Sequence, residues 1–120
     1  MTEPICETDR HGNKYWVLNG VRHRTDGPAI ERADGIKEWY LNGKRHRTDG
    51  PAVEYADGTK FWFLNGKLHR TDGPAVEYNY NNVKYPFTTD CWYLEGRRVG
   101  PYEVLGDTPE AFAWVMKYGR

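Results

Sequence analysis

Three nearly identical dodecamers, LNGVRHRTDGPA, LNGKRHRTDGPA and LNGKLHRTDGPA, begin at Leu18, Leu41 and Leu64, each 23 residues after the last. Self-similarity at a short fixed period marks a structure made by stacking one unit on the next, so this feature restricts the fold more than any other. The same step brings Lys14, Lys37 and Lys60 into register, as well as Trp16, Trp39 and Trp62. Each copy is punctuated twice. One mark is Asn-Gly, at 19–20, 42–43 and 65–66; the other is Asp-Gly, at 34–35 and 57–58, with His11-Gly12 in the first copy.

Both dipeptides signal two-residue hairpin turns, whose central residues need positive φ. A two-residue turn at Asp57-Gly58 pairs Tyr55 with Lys60, Glu54 with Phe61 and Val53 with Trp62. Period-two alternation then predicts Val53, Tyr55, Trp62 and Leu64 on one face, and Ala52, Glu54, Phe61 and Phe63 on a wetter one. The expected fold class is an all-β repeat array, an antiparallel hairpin meander of 23-residue period. An isolated hairpin is marginal in water, so the stability of such an array lies in the interfaces between copies, and its end copies are atypical.

The ends are atypical here. WYLEGRRVGP (92–101) keeps Trp92, Leu94 and Gly96 but has Glu95 for Asn and Val99 for His, and it lacks the RTD. Before it, residues 79–91 exceed the period and contain Pro86. In the tail, Asp107 or Thr108 as N-cap, Pro109 near N1 and Glu110 in the first turn are helix-start signals. Phe112, Val115 and Met116 fall at i, i+3, i+4 and are expected to cover the last hairpin, with Trp114 and Tyr118 on another face. The chain thus reads as one domain, 1–120: three β-hairpin repeats (5–78), an irregular insertion (79–91), a degenerate fourth repeat (92–106) and a short C-terminal capping helix (107–120).

Seventeen basic and seventeen acidic residues cancel, which removes any global charge argument for nucleic acid or a membrane surface. No stretch approaches the ~20 apolar residues of a membrane span, and the N-terminus has no apolar leader, so a soluble, cytoplasmic protein is expected. Cys6 and Cys91 have no paired spacing and are read as free thiols. Eighteen aromatic side chains (five Trp, nine Tyr, four Phe) point to a core built from rings.

The pattern W-x-x-N-G-x-x-H-R-x-D-G-P-A followed by D-G-x-x-x-W resembles short repeats of phage, giant-virus and bacterial proteins, relatives of MORN-type repeats and of YwqK-type repeat antitoxins. It covers roughly residues 9–101. The resemblance implies a β-hairpin array in a small phage-type accessory protein and carries over no catalytic residue. Residues 79–91 and the tail depart from it.

Do the recurring His, Arg and Asp form a site? His23, His46 and His69 stand two strand spacings apart, roughly 10 Å, whereas zinc holds each ligand within about 2.1 Å, so the ladder cannot share a metal. No Ser or Cys nucleophile recurs beside them, so no catalytic role, metal or cofactor is assigned. Turn geometry accounts for the set: Asp for an Asx turn, Arg paired with a carboxylate such as Glu38, His beside Trp. Arg22, Arg24, Lys44, Arg45, Arg47, Lys67, Arg70, Arg97 and Arg98 gather at the Asn-Gly ends, while Glu31, Asp34, Glu54, Asp57 and Glu77 gather toward the Asp-Gly ends. Such a basic edge suits nucleic acid or a nucleotide. The unrepeated aromatics Tyr80, Tyr85 and Phe87, with Trp114 and Tyr118, are candidate anchors for a protein partner. The reading is therefore a non-enzymatic interaction module; the resemblance implies a phage-type accessory protein that binds and inhibits a host protein, with immune-defence proteins among the candidates. The alternative is the anion binder. The chain is expected as a monomer or as a homodimer through an edge strand.

Overall fold

The computed structural model describes residues 3–78 and 90–118. Its strands are β1 (Ile5–Thr8), β2 (Lys14–Leu18), β3 (Val21–Arg22), β4 (Ile30–Glu31), β5 (Lys37–Glu38), β6 (Tyr40–Leu41), β7 (Lys44–Arg45), β8 (Val53–Glu54), β9 (Lys60–Phe61), β10 (Phe63–Leu64), β11 (Lys67–Leu68), β12 (Val76–Glu77), β13 (Trp92–Leu94) and β14 (Arg97–Val99). Two helices follow, α1 (Pro101–Leu105) and α2 (Pro109–Tyr118). The architecture is mostly antiparallel β with a C-terminal helix pair.

Two columns of hairpins run side by side. The first is a sheet in the order β1-β2-β4-β5-β8-β9-β12, with β3 joined to β2. The second consists of the Asn-Gly ribbons β2-β3, β6-β7 and β10-β11, with β13-β14 after them. Neighbouring ribbons are bonded together, since the N–H groups of Gly43, Gly66 and Gly96 donate to the carbonyls of Arg22, Arg45 and Leu68, each at 2.8 Å. Tryptophan stands where the chain crosses between columns. Trp39 N–H reaches the Ala52 carbonyl in the sheet (2.7 Å), while its own carbonyl accepts from His46 N–H in the ribbon (3.1 Å).

The two kinds of turn differ. At Asn19-Gly20, Asn42-Gly43 and Asn65-Gly66 both residues have positive φ, which gives the expected two-residue turn; Glu95 (φ 53) and Gly96 (φ 80) repeat it. At Asp57-Gly58 only the glycine does (φ 96). There Tyr55 N–H donates to Thr59 O and Gly58 N–H to Tyr55 O, closing a three-residue loop over residues 56–58. Asp57 Oδ1 accepts the Thr59 N–H (2.9 Å), so the carboxylate stabilises a type I turn that ends in a left-handed glycine. One extra loop residue slips the register: Val53 pairs with Phe61 and Glu54 with Lys60. This corrects the expected faces, because Trp62 now shares a side with Glu54 and Lys60 rather than with Val53.

Two cross-strand rows result. Tyr15, Ile30, Glu38, Val53, Phe61 and Val76 line one face; Lys14, Glu31, Lys37, Glu54, Lys60 and Glu77 line the other, opposite charges facing each other at every step. Ala29, Ala52 and Ala75 are fully buried, with Ile30, Val53 and Val76 beside them. Small residues at the column junction let successive copies close tightly. The extents are 48 × 32 × 19 Å and the radius of gyration is 16.4 Å, against about 14 Å for a compact chain of this length, as a linear stack requires.

The C-terminal end departs from expectation in two ways. Helix α1 begins directly after β14, so a pair of helices replaces a single cap. In α2, Thr108 is the N-cap, its Oγ1 accepting the Ala111 N–H (3.2 Å). Yet Phe112 and Met116 are exposed, while Ala111 is fully buried and Trp114 packs edge-on against Trp92 (5.2 Å, 89°). The helix therefore faces inward along Ala111 and Trp114, where a small residue beside a large one lets it approach the last ribbon.

Candidate functional site

The repeated H-R-T-D-G-P segment leaves each ribbon and re-enters the sheet, and its His and Arg side chains bond within the stack. His23 Nδ1 accepts the N–H of Asn42, His46 Nδ1 that of Asn65, and His69 Nδ1 that of Glu95, each at 3.0 Å. Each histidine thus holds the first residue of the following turn. That bond requires an unprotonated Nδ1, which places the ring proton of the neutral form on Nε2.

The arginines are more heavily committed. Arg24 Nε donates to Asp26 (2.9 Å), and Nη1 donates to the Pro28 carbonyl (3.1 Å) and to Glu31 (3.3 Å), while the guanidinium lies 3.8 Å from the centre of the Trp16 ring. Arg47 repeats this with Asp49, Pro51, Glu54 and Trp39, and Arg70 with Asp72, Pro74, Glu77 and Trp62. Their side chains are only 20%, 22% and 16% exposed. The planar fork of arginine is what permits two acceptor directions and ring stacking at once. The Arg24 hydrogen bond and charge hold Asp26 below the usual carboxylate range.

Arg24, Arg47 and Arg70 are therefore removed from the expected basic edge, because each is paired with two carboxylates through Nε and Nη1 and its guanidinium is stacked on a tryptophan. Nor does Glu38 pair with them as expected: their carboxylates are Glu31, Glu54 and Glu77. What remains on the ribbons is a narrower basic strip. Lys44, Lys67 and Arg97 take equivalent turn-flanking positions and are exposed, with Arg22 and Arg98 beside them. Arg22 lies over Tyr15 (5.3 Å), and Arg97 reaches Glu103 (3.4 Å).

Between successive RTDG loops lie two equivalent clefts. The first, about 540 Å³, is lined by Arg24, Thr25, Asp26, Trp39, Leu41, His46, Thr48 and Asp49. The second, about 330 Å³, shifts every element one copy along, to Thr48, Asp49, Trp62, Leu64, His69, Thr71 and Asp72. Each has a floor of Trp and Leu and a rim of exposed Thr and Asp. Thr48 belongs to both.

Of the aromatic candidates, Trp114 is the one whose side chain is described. Trp114 is half-buried against Trp92, a packing role. Tyr118 ends α2, and its side chain, with Tyr80, Tyr85 and Phe87, lies outside the described residues.

One cluster escaped the sequence reading. Glu38, 3% exposed, receives Arg32 Nε (3.1 Å), Arg45 Nη2 (3.0 Å) and the Tyr40 hydroxyl (3.4 Å). Its counterparts 23 residues either way are Tyr15 and Phe61, so a lone carboxylate in an aromatic position was the available signal. Among the described residues no group of three or more His, Cys, Asp or Glu converges to hold a metal, and no helix is long and apolar enough to cross a membrane. Comparison with family models, curated proteins and solved structures finds no match for this chain.

Proposed function

We propose that this chain is a non-catalytic interaction module: a MORN-like array of 23-residue hairpin units whose row of inter-loop clefts takes a protein partner. The observation that carries this is the fate of the repeated polar residues. The His side chains are spent on the following turn, and the Arg and Asp side chains on each other and on the nearby Glu and Trp, which leaves a surface with aromatic-floored hollows repeated at the unit spacing. Concave, partly apolar sites with a few polar groups at the rim are where partners and ligands bind. The resemblance of the dodecamer to phage-type repeats extends the proposal to an accessory protein that binds and inhibits a host protein, with immune defence among the targets.

Thr48→Arg tests it, because the long side chain fills the wall common to both clefts and removes no scaffold hydrogen bond. After the partner is identified by tagged pull-down from a bacterial lysate treated with nuclease, the variant is expected to weaken its binding by about tenfold or more at an unchanged melting temperature. Unaltered affinity would remove the clefts from the proposal.

The exposed strip of Lys44, Lys67, Arg97, Arg22 and Arg98 favours a second reading, an anionic ligand such as nucleic acid or a nucleotide. That reading requires affinity to fall steeply with salt and to drop when Lys44 and Lys67 are replaced by Ala.

A further inference from the structure

Strand β1 ends the sheet order, and all four of its residues are exposed. The direction of its free hydrogen-bonding groups follows from its neighbour. Trp16 donates its N–H to the Ala29 carbonyl (2.8 Å), away from β1, so the Cys6–Trp16 pair is a non-hydrogen-bonded one. Cys6, and by alternation Thr8, therefore turn both N–H and C=O toward the open edge. Natural sheets blunt such edges with lysine, proline or a bulge, and Ile5-Cys6-Glu7-Thr8 contains none of these. Ile5 is 70% exposed beside it. Among the described residues the other end of the array carries α2, with Trp114 packed on Trp92 of β13.

We propose that β1 pairs antiparallel with β1 of a second copy about a two-fold axis at Cys6. An edge that pairs with its own copy about a two-fold axis makes an isologous contact, which closes at two. Within Ile5–Thr8, charge and backbone donors together select the register, with Glu3 and Asp9 facing each other only beyond the strand ends. Centring on Glu7 sets two carboxylates face to face and puts Ile5 against Asp9; centring on Ile5 opposes Glu3 to Glu7 and faces Cys6 with Pro4, which has no N–H. With Cys6 at the centre, the two Cys6 residues exchange both backbone bonds, each Thr8 N–H meets the partner's Pro4 carbonyl, and Ile5 lies against the aliphatic stem of the partner's Glu7. The surface lies apart from the clefts and does not depend on what they bind.

The test uses the full chain with Cys91→Ser, leaving Cys6 as its thiol. Sedimentation across rising concentration should show a monomer–dimer equilibrium. Copper-catalysed air oxidation should then link the dimer through Cys6, two thiols giving one disulfide as two electrons and two protons pass to oxygen; hydrogen-bonded antiparallel pairs hold Cα atoms about 5.5 Å apart, within disulfide reach. Thr8→Pro deletes an outward N–H and leaves the bonds to β2 intact, so it should weaken dimerisation by about tenfold or more while circular dichroism is unchanged. Moving the thiol with Cys6→Ser and Thr8→Cys should abolish linkage, because residue 8 faces Pro4. A monomer at every concentration, a Thr8→Pro variant that dimerises as tightly as its parent, or equal linkage from position 8 would overturn the proposal.

Discussion

Glu38 occupies a site that the units on either side fill with a ring, Tyr15 and Phe61, and a buried carboxylate there is stabilised only through Arg32, Arg45 and Tyr40. Buried ion pairs often contribute no more than an apolar side chain of similar volume, whereas removing one partner strands the other. Glu38→Phe, which restores the residue found at 61, is thus expected to be neutral or stabilising. Glu38→Ala, with two half-exposed arginines left and a void opened, should cost about 2 kcal/mol. Denaturant melts of both variants check this; equal losses would mean that the ionic cluster itself contributes. Asp26 offers a pH readout. Its folded-state pKa is depressed by Arg24, so its contribution to stability is complete above the ordinary value of 3.8 and disappears as pH falls through the lower folded value. The stability gap between the parent and Asp26→Asn should therefore close on acidification below about pH 4. A gap that holds constant to pH 2 would show that charge is not its source. At this scale the sequence was half legible. Repetition exposed which residues recur, but whether Arg24 meets Glu31 or Glu38 depends on register, which a list of positions does not contain.

The turns show where register was lost. Asn-Gly was read correctly, because asparagine tolerates the left-handed region and both central residues adopt it. Asp-Gly predicts the same device, yet the aspartate side chain captures the N–H two residues on and its own φ stays negative, lengthening the loop by one. That single residue inverts the second strand of each sheet hairpin. The stack makes the loops sensitive to their neighbours. Gly35 (φ 97) would place a Cβ 2.9 Å from Ala56 Cβ in the next loop, while Gly20 (φ 81) has nothing within 4 Å. Ala at position 20 should cost about 1 kcal/mol, from backbone strain alone, whereas Gly35→Ala must also push the next unit away and should cost roughly twice that. Equal costs in chemical denaturation would show that the loops pack independently.

Among the described residues the contacts run mainly between neighbouring strands, so local stability should be graded along the 48 Å axis, highest in the middle unit and lower toward the ends. The helix-start signals in the tail were legible. The inward face of α2 was not, because Phe112 and Met116 match the apolar spacing better than Ala111 and Trp114, and the choice was made by the ring waiting at the end of the array. Trp92 fills the position of Trp16, Trp39 and Trp62 but is followed by no H-R-T-D arginine, and its Nε1 has no hydrogen-bond partner, whereas Trp62 Nε1 donates to Glu77 (2.9 Å). Trp114 thus takes the place of the missing arginine, its ring standing perpendicular to the Trp92 indole where the other units lay a guanidinium over it. Trp114→Ala should then lower amide-exchange protection in β13 and β14 by about 2–3 kcal/mol and leave β4 to β7 nearly unchanged, since truncating a packed ring opens a cavity only at that end. If protection instead falls equally in every strand, the array unfolds as one cooperative body, and the one-dimensional account of its stability is wrong.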